Sequence, residues 1–539
     1  MRALLKRPFW DRGFEVVLVA VVMAVHLYAA TSDAYNFPSN WFTRDDAYYY
    51  FKVAQNLTEG RGMTFDGISP TNGYHPLWML VNLPIFALAR FDLVLPLRIL
   101  LLLQAGLSAG TALLLYRMIR DAISLPLAVL GGIWWAFNLY IHIDMYEYGL
   151  ETGLASFTAA LLLYLLSRFE RTWREAPPDR RQIALLAIAA LLALFSRLDL
   201  VFLAFLAGAW IILRGTPLRL LLPLDMLLAA VSVLASFLWR LGIHDYYLYA
   251  RTALAMMAVS VVTKLVLYFL LGLYEPVVCR PLWDWARRIA GAVTASSLLL
   301  GLIMSAASPL LGSFPRLALL YDWIINLVGL ILLRLLARLF SQGTDRGLVP
   351  PLVLLRTKWR GWLQEGALYY GILGIPLAIY MLLNRVLIGT FMPISGEIKR
   401  WWGGPSMRAY GGPARSPLAF WGVDFNPDFS AWNPLTGWLD TLSRQIAARW
   451  GLYRNDEPYT VLLIAICLLW LGVLLINRRR AARVAVQTSM PLLAVASAVQ
   501  ILSYNAPGYS SLKEWYWISE PMLLLLAFSL AASILIGPL

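Results

Sequence analysis

Apolar runs long enough to cross a bilayer recur along this chain from its first twenty residues to its last. No soluble core needs so many. Charged residues make up only 14% of the 539 residues, where a soluble domain carries about 25%. Hydrophobic residues make up 60% and aromatics 13%. A soluble enzyme, a disordered scaffold and a nucleic-acid-binding module are all excluded by this pattern. The fold class is an all-α polytopic membrane protein.

Periodicity and length predict about fourteen spans. They fall near residues 14–30, 96–118, 124–141, 151–168, 183–197, 199–214, 218–240, 250–272, 286–310, 317–340, 366–389, 459–476, 486–504 and 517–537. The first reads as a retained signal anchor rather than a cleaved leader. Lys and Arg number 45 against 31 acids, a net charge of +14. With a cytoplasmic N-terminus the densest basic stretches, 168–181, 334–360 and 478–483, all lie on the cytoplasmic side, as positive charge resists translocation. Two long polar loops, 31–95 and 390–458, then face outward, where function is expected. The organisation expected is a catalytic module over 1–210, variable spans over 211–389, the outer loop 390–458 and terminal spans over 459–539. Two cysteines, Cys279 and Cys467, supply neither a disulfide framework nor a thiolate metal site.

The first loop carries TRDDAYYYFKVAQNLTEGRGMTFDGISPTNGYHPLW over 43–78. Thr43 and Asp46 stand at capping-box spacing, so Asp46 is expected to close the start of a helix over 44–58 and leave Asp45 facing a ligand. Acids in a first helical turn also satisfy free N–H groups and the helix dipole, and need no substrate. A like charge and apolar surroundings would raise a carboxylate pKa and make a better base. Spacing leaves both accounts open.

Three pieces of this loop, Asp-Asp-Ala-Tyr at 45–48, Asn-Leu-x-x-Gly-x-Gly at 56–62 and Gly-Tyr-x-Pro-Leu-Trp at 73–78, occur in order. Together they resemble the first periplasmic loop of GT-C glycosyltransferases, and are most similar to bacterial relatives of the mycobacterial arabinofuranosyltransferases. More distantly the acidic pair resembles that of the protein mannosyltransferases and lipid A aminoarabinose transferases. There Asp45 matches the catalytic Asp, Asp46 falls where those relatives have Glu, and Tyr49 matches a Tyr four positions on. His75 stands near their donor-phosphate Lys, and an ordinary interfacial His beside Pro76 explains it equally well.

Further islands carry the resemblance. Glu151, after Gly149 and Leu150, matches a Gly-Met/Leu-Glu-Thr motif and is implied as a catalytic or neighbouring acid; Asp144 and Glu147 are weaker substrate-binding candidates on the same turn. Ser-Arg-Leu-Asp at 196–199 resembles a Thr-Arg-Pro-Asp motif, with Arg197 and Asp199 expected to pair with each other or to contact substrate. His244 opens another outer loop. Lys399 and Arg400 close a Gly-x-x-x-Pro-x-Ser-Gly-x-x-Lys segment and suit an anionic lipid phosphate. Lys-Glu-Trp-Tyr-Trp at 513–517 precedes the last span and resembles a Trp-Tyr start found there.

The resemblance implies a GT-C-type bundle with periplasmic surface helices in the first loop, in the bacterial cytoplasmic (inner) membrane with its site on the outer face. The activity implied is transfer of a pentose or hexose from a polyprenyl-phosphate carrier to a hydroxyl of a glycan, lipid or protein acceptor, with Asp45 or Asp46 as general base. Membrane lipid is a further partner, and nucleic acid is not one. No cofactor is required by this chemistry, although the outer acids are oxygen ligands of the kind a divalent cation takes. A transporter or flippase of lipid-linked glycans, lined by Arg197, Asp199, Arg240, Lys264 and Arg385, and an O-antigen-ligase-like enzyme are the competing classes.

Overall fold

The computed structural model describes residues 9–89, 91–275, 282–341, 349–410, 416–424, 430–509 and 512–537. Cys279, and parts of the stretches 334–360 and 390–458, lie outside them. Among the described residues the architecture is helical, with β-structure limited to two isolated bridges, Thr64–Pro70 and Val423–Ser430.

Eight helices are long and apolar enough to cross a membrane among the described residues, or up to ten if each of two bent pairs is one span. The sequence had suggested about fourteen. Of the expected spans, 199–214 and 517–537 fall on helices that are apolar but short, Leu198–Ile212 and Ser519–Leu535, 183–197 falls on the 17-residue Arg180–Ser196, and 218–240 and 250–272 count together as Leu218–Leu270. A crossing needs about twenty apolar residues, whereas a helix packed inside protein is under no such length rule. The expected spans near 124–141 and 486–504 fall on the bent pairs, broken by 51° and 69°. Conversely, Pro351–Leu387 and Asp456–Ile476 carry apolar windows only 11% and 17% buried within the protein. So much exposed apolar surface is stable against lipid and not against water.

The helices that position the site are α1 (Phe9–Thr31), α2 (Asp45–Thr58), α3 (Pro76–Leu88), α4 (Leu95–Ala122), α5 (Thr152–Thr172), α6 (Arg180–Ser196) and α7 (Val201–Ile212). In sequence order α1 packs on α4, α4 on α5 and α5 on α6, around one large apolar core. The amphipathic α2 lies on α3, which rests on α6. Next come α8 (Leu218–Tyr246), α9 (Ala250–Leu270), α10 (Leu282–Ala306) and α11 (Arg316–Ser341). These four pack on one another and enclose smaller apolar clusters of their own. α12 (Pro351–Leu387) packs on α6, α13 (Ile394–Tyr410) follows it, and α14 (Met490–Asn505) and α15 (Ser519–Leu535) pack together.

Candidate functional site

The chain enters α2 through a sharp reversal. Phe42 has φ +55, a left-handed conformation that is rare for a bulky residue, and its side chain is fully buried. Its N–H donates to the Glu147 carbonyl at 2.9 Å. Space for the ring exists because residue 149 is glycine: a Cβ there would lie 2.2 Å from the Phe42 ring, and Gly149 itself has φ +70. The turn on which Glu147 and Gly149 sit follows a π-helical segment, Ile143–Glu147. Such segments recur at functional sites.

α2 starts at Asp45, with Arg44 at the N-cap and no side-chain cap. The expected division of labour between the two acids is reversed. Asp45 Oδ1 accepts the backbone N–H of Asp46 at 3.0 Å, so it is Asp45 that serves the helix start. Asp46 instead lies in the field of Lys399, Glu151 and Lys513. Burial raises the Asp46 carboxyl above its ordinary range; Lys399 opposes that shift, and the like charges Asp45 and Glu151 add to it. Yet Asp46 remains accessible to solvent. Asp46 is thus a solvent-accessible carboxylate with two lysines and two acids acting on it.

Behind it lies a compact polar network. The Glu151 carboxylate receives Arg197 Nη1 at 3.2 Å and faces His75 Nε2 at 3.6 Å. The Tyr50 hydroxyl also bonds this carboxylate, and accepts the His75 backbone N–H at 3.0 Å. Leu198 N–H donates to His75 Nδ1 at 3.2 Å, which leaves the imidazole proton on Nε2, toward Glu151. Burial holds the His75 pKa below its ordinary value, against the pull of Glu151. Both ring nitrogens of His75 thus face protein groups. Arg197 forks onto Asp199 at 3.1 and 2.7 Å and donates to the Trp515 carbonyl at 3.0 Å. Asp199 also accepts from Gln500 at 3.2 Å and Tyr504 at 2.8 Å.

The third part comes from α13. Ile394 N–H donates to Asn72 Oδ1 at 3.0 Å, docking the helix start onto the first loop. A Cβ on Gly73 would crowd the Tyr49 hydroxyl at 3.1 Å, while meeting Ser395 of α13 at an ordinary 3.5 Å. Lys399 then reaches inward and donates to the Tyr516 hydroxyl. Burial lowers the Lys399 pKa, with Asp46 acting to raise it. The Arg197 guanidinium sits 5.0 Å from the centre of the same Tyr516 ring. Arg400 is exposed beside Lys399, and its charge acts on Tyr509, whose hydroxyl donates to the Gly396 carbonyl at 2.7 Å.

Asp46, Glu151, His75, Arg197, Asp199 and Lys399 are therefore brought together, from segments more than 350 residues apart in sequence. Tyr49 is not part of the network: its hydroxyl bonds Thr71 and its ring stacks on Phe65 at 5.2 Å, holding the loop together. Asp144 is buried in a neighbouring cluster with Arg44, Glu147 and Glu514. His244 is exposed after the break in α8 at Gly242. Its neighbours Arg240, Asp245 and Tyr249 line a hollow with Ser313, Phe314 and Pro315 that none of the residues around Asp46 enters. The 513–517 segment, which contains Glu514 and Tyr516, was singled out in the sequence, whereas Arg44, Tyr50, Gln500 and Tyr504 were given no role. Gln500 and Tyr504, one helical turn apart on the largely apolar α14, were the available signal. Among the described residues no group of three or more His, Cys, Asp or Glu side chains is arranged to hold a metal ion.

No protein-family model and no curated protein sequence matches the chain. A solved oligosaccharyltransferase of Archaeoglobus fulgidus, in complex with zinc and sulfate, is similar at 12% identity, with a TM-score of 0.28, over 93% of this chain and 53% of that one. The chain spans about half the length of that structure. A likeness of this degree leaves the functional reading to the residues themselves.

Proposed function

We propose that the protein is an integral-membrane glycosyltransferase of the GT-C type that takes sugar from a polyprenyl-phosphate carrier at the outer face of a bacterial inner membrane. One observation carries the reading. A carboxylate, Asp46, stands accessible to solvent with its proton affinity raised by burial, in the field of a lysine, Lys399, that is held by Tyr516. Base and phosphate-binding cation are the two groups that inverting transfer from a lipid phosphate requires. The ordered motifs of the first loop support the same assignment.

In this mechanism an acceptor hydroxyl attacks the anomeric carbon on the face opposite the carrier phosphate. The new C–O bond forms as the bond to the phosphate oxygen breaks, and the hydroxyl proton passes to Asp46. The electron pair leaves with polyprenyl phosphate, whose growing charge Lys399 and Arg400 stabilise, with Lys513 adding to the field. General-base assistance is worth about 10²–10⁴ in rate, roughly 3–5 kcal/mol. Glu151 serves through Arg197 and His75 rather than as the proton acceptor. The acceptor is a hydroxyl of an envelope glycan, lipid or protein.

The test is incubation of purified protein with a panel of polyprenyl-phosphate sugars, including arabinose, mannose, glucose and galactose carriers. Release of polyprenyl phosphate with one donor, and its loss in D46N, is the expected result. Wild-type inertness across the panel, or full activity in D46N, would overturn it. A transporter would move substrate across a vesicle membrane and form no glycosidic product.

A further inference from the structure

The start of α2 is held by very little of the usual kind. Its N-cap side chain makes no capping bond, and the residue two positions earlier, Phe42, sits in a strained left-handed conformation. Non-glycine strain of this sort costs about 1–3 kcal/mol and persists only where surroundings enforce it. The surroundings here are specific. The Arg44 guanidinium forms an ion pair with Glu514, donates to the Tyr148 hydroxyl at 3.2 Å, and lies 4.8 Å and 5.3 Å from the rings of Tyr148 and Trp515. Glu514 is 9% exposed, so removing Arg44 takes the ion-pair partner from a nearly buried charge.

These contacts connect segments that the site depends on. Glu514 and Trp515 belong to the same short segment as Tyr516, the hydroxyl partner of Lys399, and the Trp515 carbonyl receives Arg197. Tyr148 belongs to the turn that delivers Glu151. Arg44 itself is two residues before Asp46. One guanidinium therefore spans the base-bearing helix, the Glu151 turn and the segment that holds Lys399.

We infer that Arg44, through its fork onto Glu514 and Tyr148, is a positioning residue that fixes Asp46 opposite Lys399. The inference rests on the reading of Asp46 as the base, but its geometry can be tested without turnover. The charges acting on Asp46 are Asp45 on its own helix, Glu151 at the start of α5, Lys399 on α13 and Lys513 before α15. Of these, Lys399 is the leading one that favours the ionised form. If α2 moves away from Lys399, Asp46 loses that partner together with part of the burial and the Glu151 repulsion that raise its pKa, so its protonation midpoint moves.

The experiment is labelling of Asp46 with a hydrophobic carbodiimide, which attacks protonated carboxyls, quantified by mass spectrometry across pH in the full-length protein. R44A is expected to move the midpoint of labelling by about half a unit or more, and R44K to restore most of the wild-type value. E514Q supplies the sharper sign. Arg44 and Glu514 carry opposite charges, so by direct field alone R44A raises and E514Q lowers a neighbouring carboxyl's pKa, whereas release of α2 moves the midpoint in the same direction in both. Shifts of the same sign in the two variants are the expected result. Opposite shifts, or an unchanged midpoint in either, would overturn the inference, with R44Q standing in where R44A does not fold. In transfer assays, where the wild type is active, kcat falls at least about tenfold in R44A with the donor KM nearly constant. A wild type that makes no glycosidic product sinks the glycosyltransferase reading alone, because the labelling result still decides the role of Arg44.

Discussion

The backbone N–H of Leu198 donates to Nδ1 of His75 across 3.2 Å, and this one bond fixes the imidazole as the Nε2–H tautomer, turned to Glu151. With its pKa lowered by burial, His75 is neutral at physiological pH. The folded-state value lies below the ordinary 6.5, so the unfolded chain binds this proton more readily. The His75 contribution to stability is therefore complete above pH about 6.5 and is lost as pH falls below it. H75N keeps an acceptor for Leu198 and removes the titration. Thermal unfolding in detergent is expected to show a smaller acid-side decline for H75N than for wild type below pH 6.5. Parallel curves would show that His75 is already charged in the folded protein.

Asp45 and Asp46 differ in what they are free to do. Asp45 serves the helix N-terminus, and Asn keeps the accepting oxygen while losing the charge, so D45N is expected to reduce transfer by about tenfold or less and to cost about 0.3–1 kcal/mol of stability. D46N is expected to lower kcat by about 10²–10⁴ with the fold intact. Steady-state kinetics on both variants decide between the acids. A larger loss of kcat in D45N would return the base to that position.

Lys399 holds the Asp46 pKa down against burial, and the two groups bracket the working pH range. Activity rises with pH as Asp46 ionises. It falls again as Lys399 deprotonates, at a pH below the ordinary lysine value because burial lowers its pKa. In K399M the acid limb of the profile is expected to move to higher pH and the alkaline limb to disappear, with a lower maximal rate. A pH–rate profile with an unmoved acid limb would separate Lys399 from the base.

The helix bearing the acids was legible because its cues are local: an acidic start, a mixed apolar and polar body, and glycines at 60 and 62 that stop it. Residues 44–58 were expected and Asp45–Thr58 is found. Which acid caps the helix was not legible, because Phe42 φ +55 and its bond to Glu147 set the entry angle from outside the segment. The number of crossings differs for a related reason. α6 and α7 are apolar but, at 17 and 12 residues, shorter than the roughly twenty that a crossing needs, and hydropathy alone does not fix where a helix ends. Tyr516, Gln500 and Tyr504 reach the network from some 300 residues beyond Asp199, where spacing carries no information.

Two glycines of the Glu151 turn make a graded prediction. A Cβ on Gly149 would lie 2.2 Å from the Phe42 ring and require a residue at φ +70. A Cβ on Gly153 would lie 1.9 Å from Gln104 Oε1, the end of a flexible side chain whose Nε2 holds the Leu150 carbonyl at 2.9 Å. Gln104 can rotate, while Phe42 is enclosed and already strained. G149A is thus expected to be the more damaging, by about 1–3 kcal/mol beyond G153A, and to lower transfer as α2 shifts. Unfolding midpoints of the two variants test the order, and a reversed ranking would show that the Gln104 contact, not the Phe42 turn, sets the geometry.

Lys264 and Asp322 are both fully buried between α9 and α11, with Nζ 2.7 and 2.9 Å from the two carboxylate oxygens and Ser232 donating to Asp322 at 2.6 Å. A buried pair of this kind loses about 3–5 kcal/mol when one partner is removed, because the other is stranded without a counter-charge. K264M is expected to destabilise the protein by that order, as is D322L. The combined K264M/D322L variant, which removes both charges, is expected to recover most of the loss. Neither residue is among the charges acting on Asp46, so the double variant keeps a near-wild-type kcat if the pair only sets helix register. A transport pathway through this bundle would instead lose its charged lining altogether. Unfolding free energies for the three variants, together with product formation by the double variant, separate these outcomes: full stability with abolished turnover would make the pair functional rather than architectural.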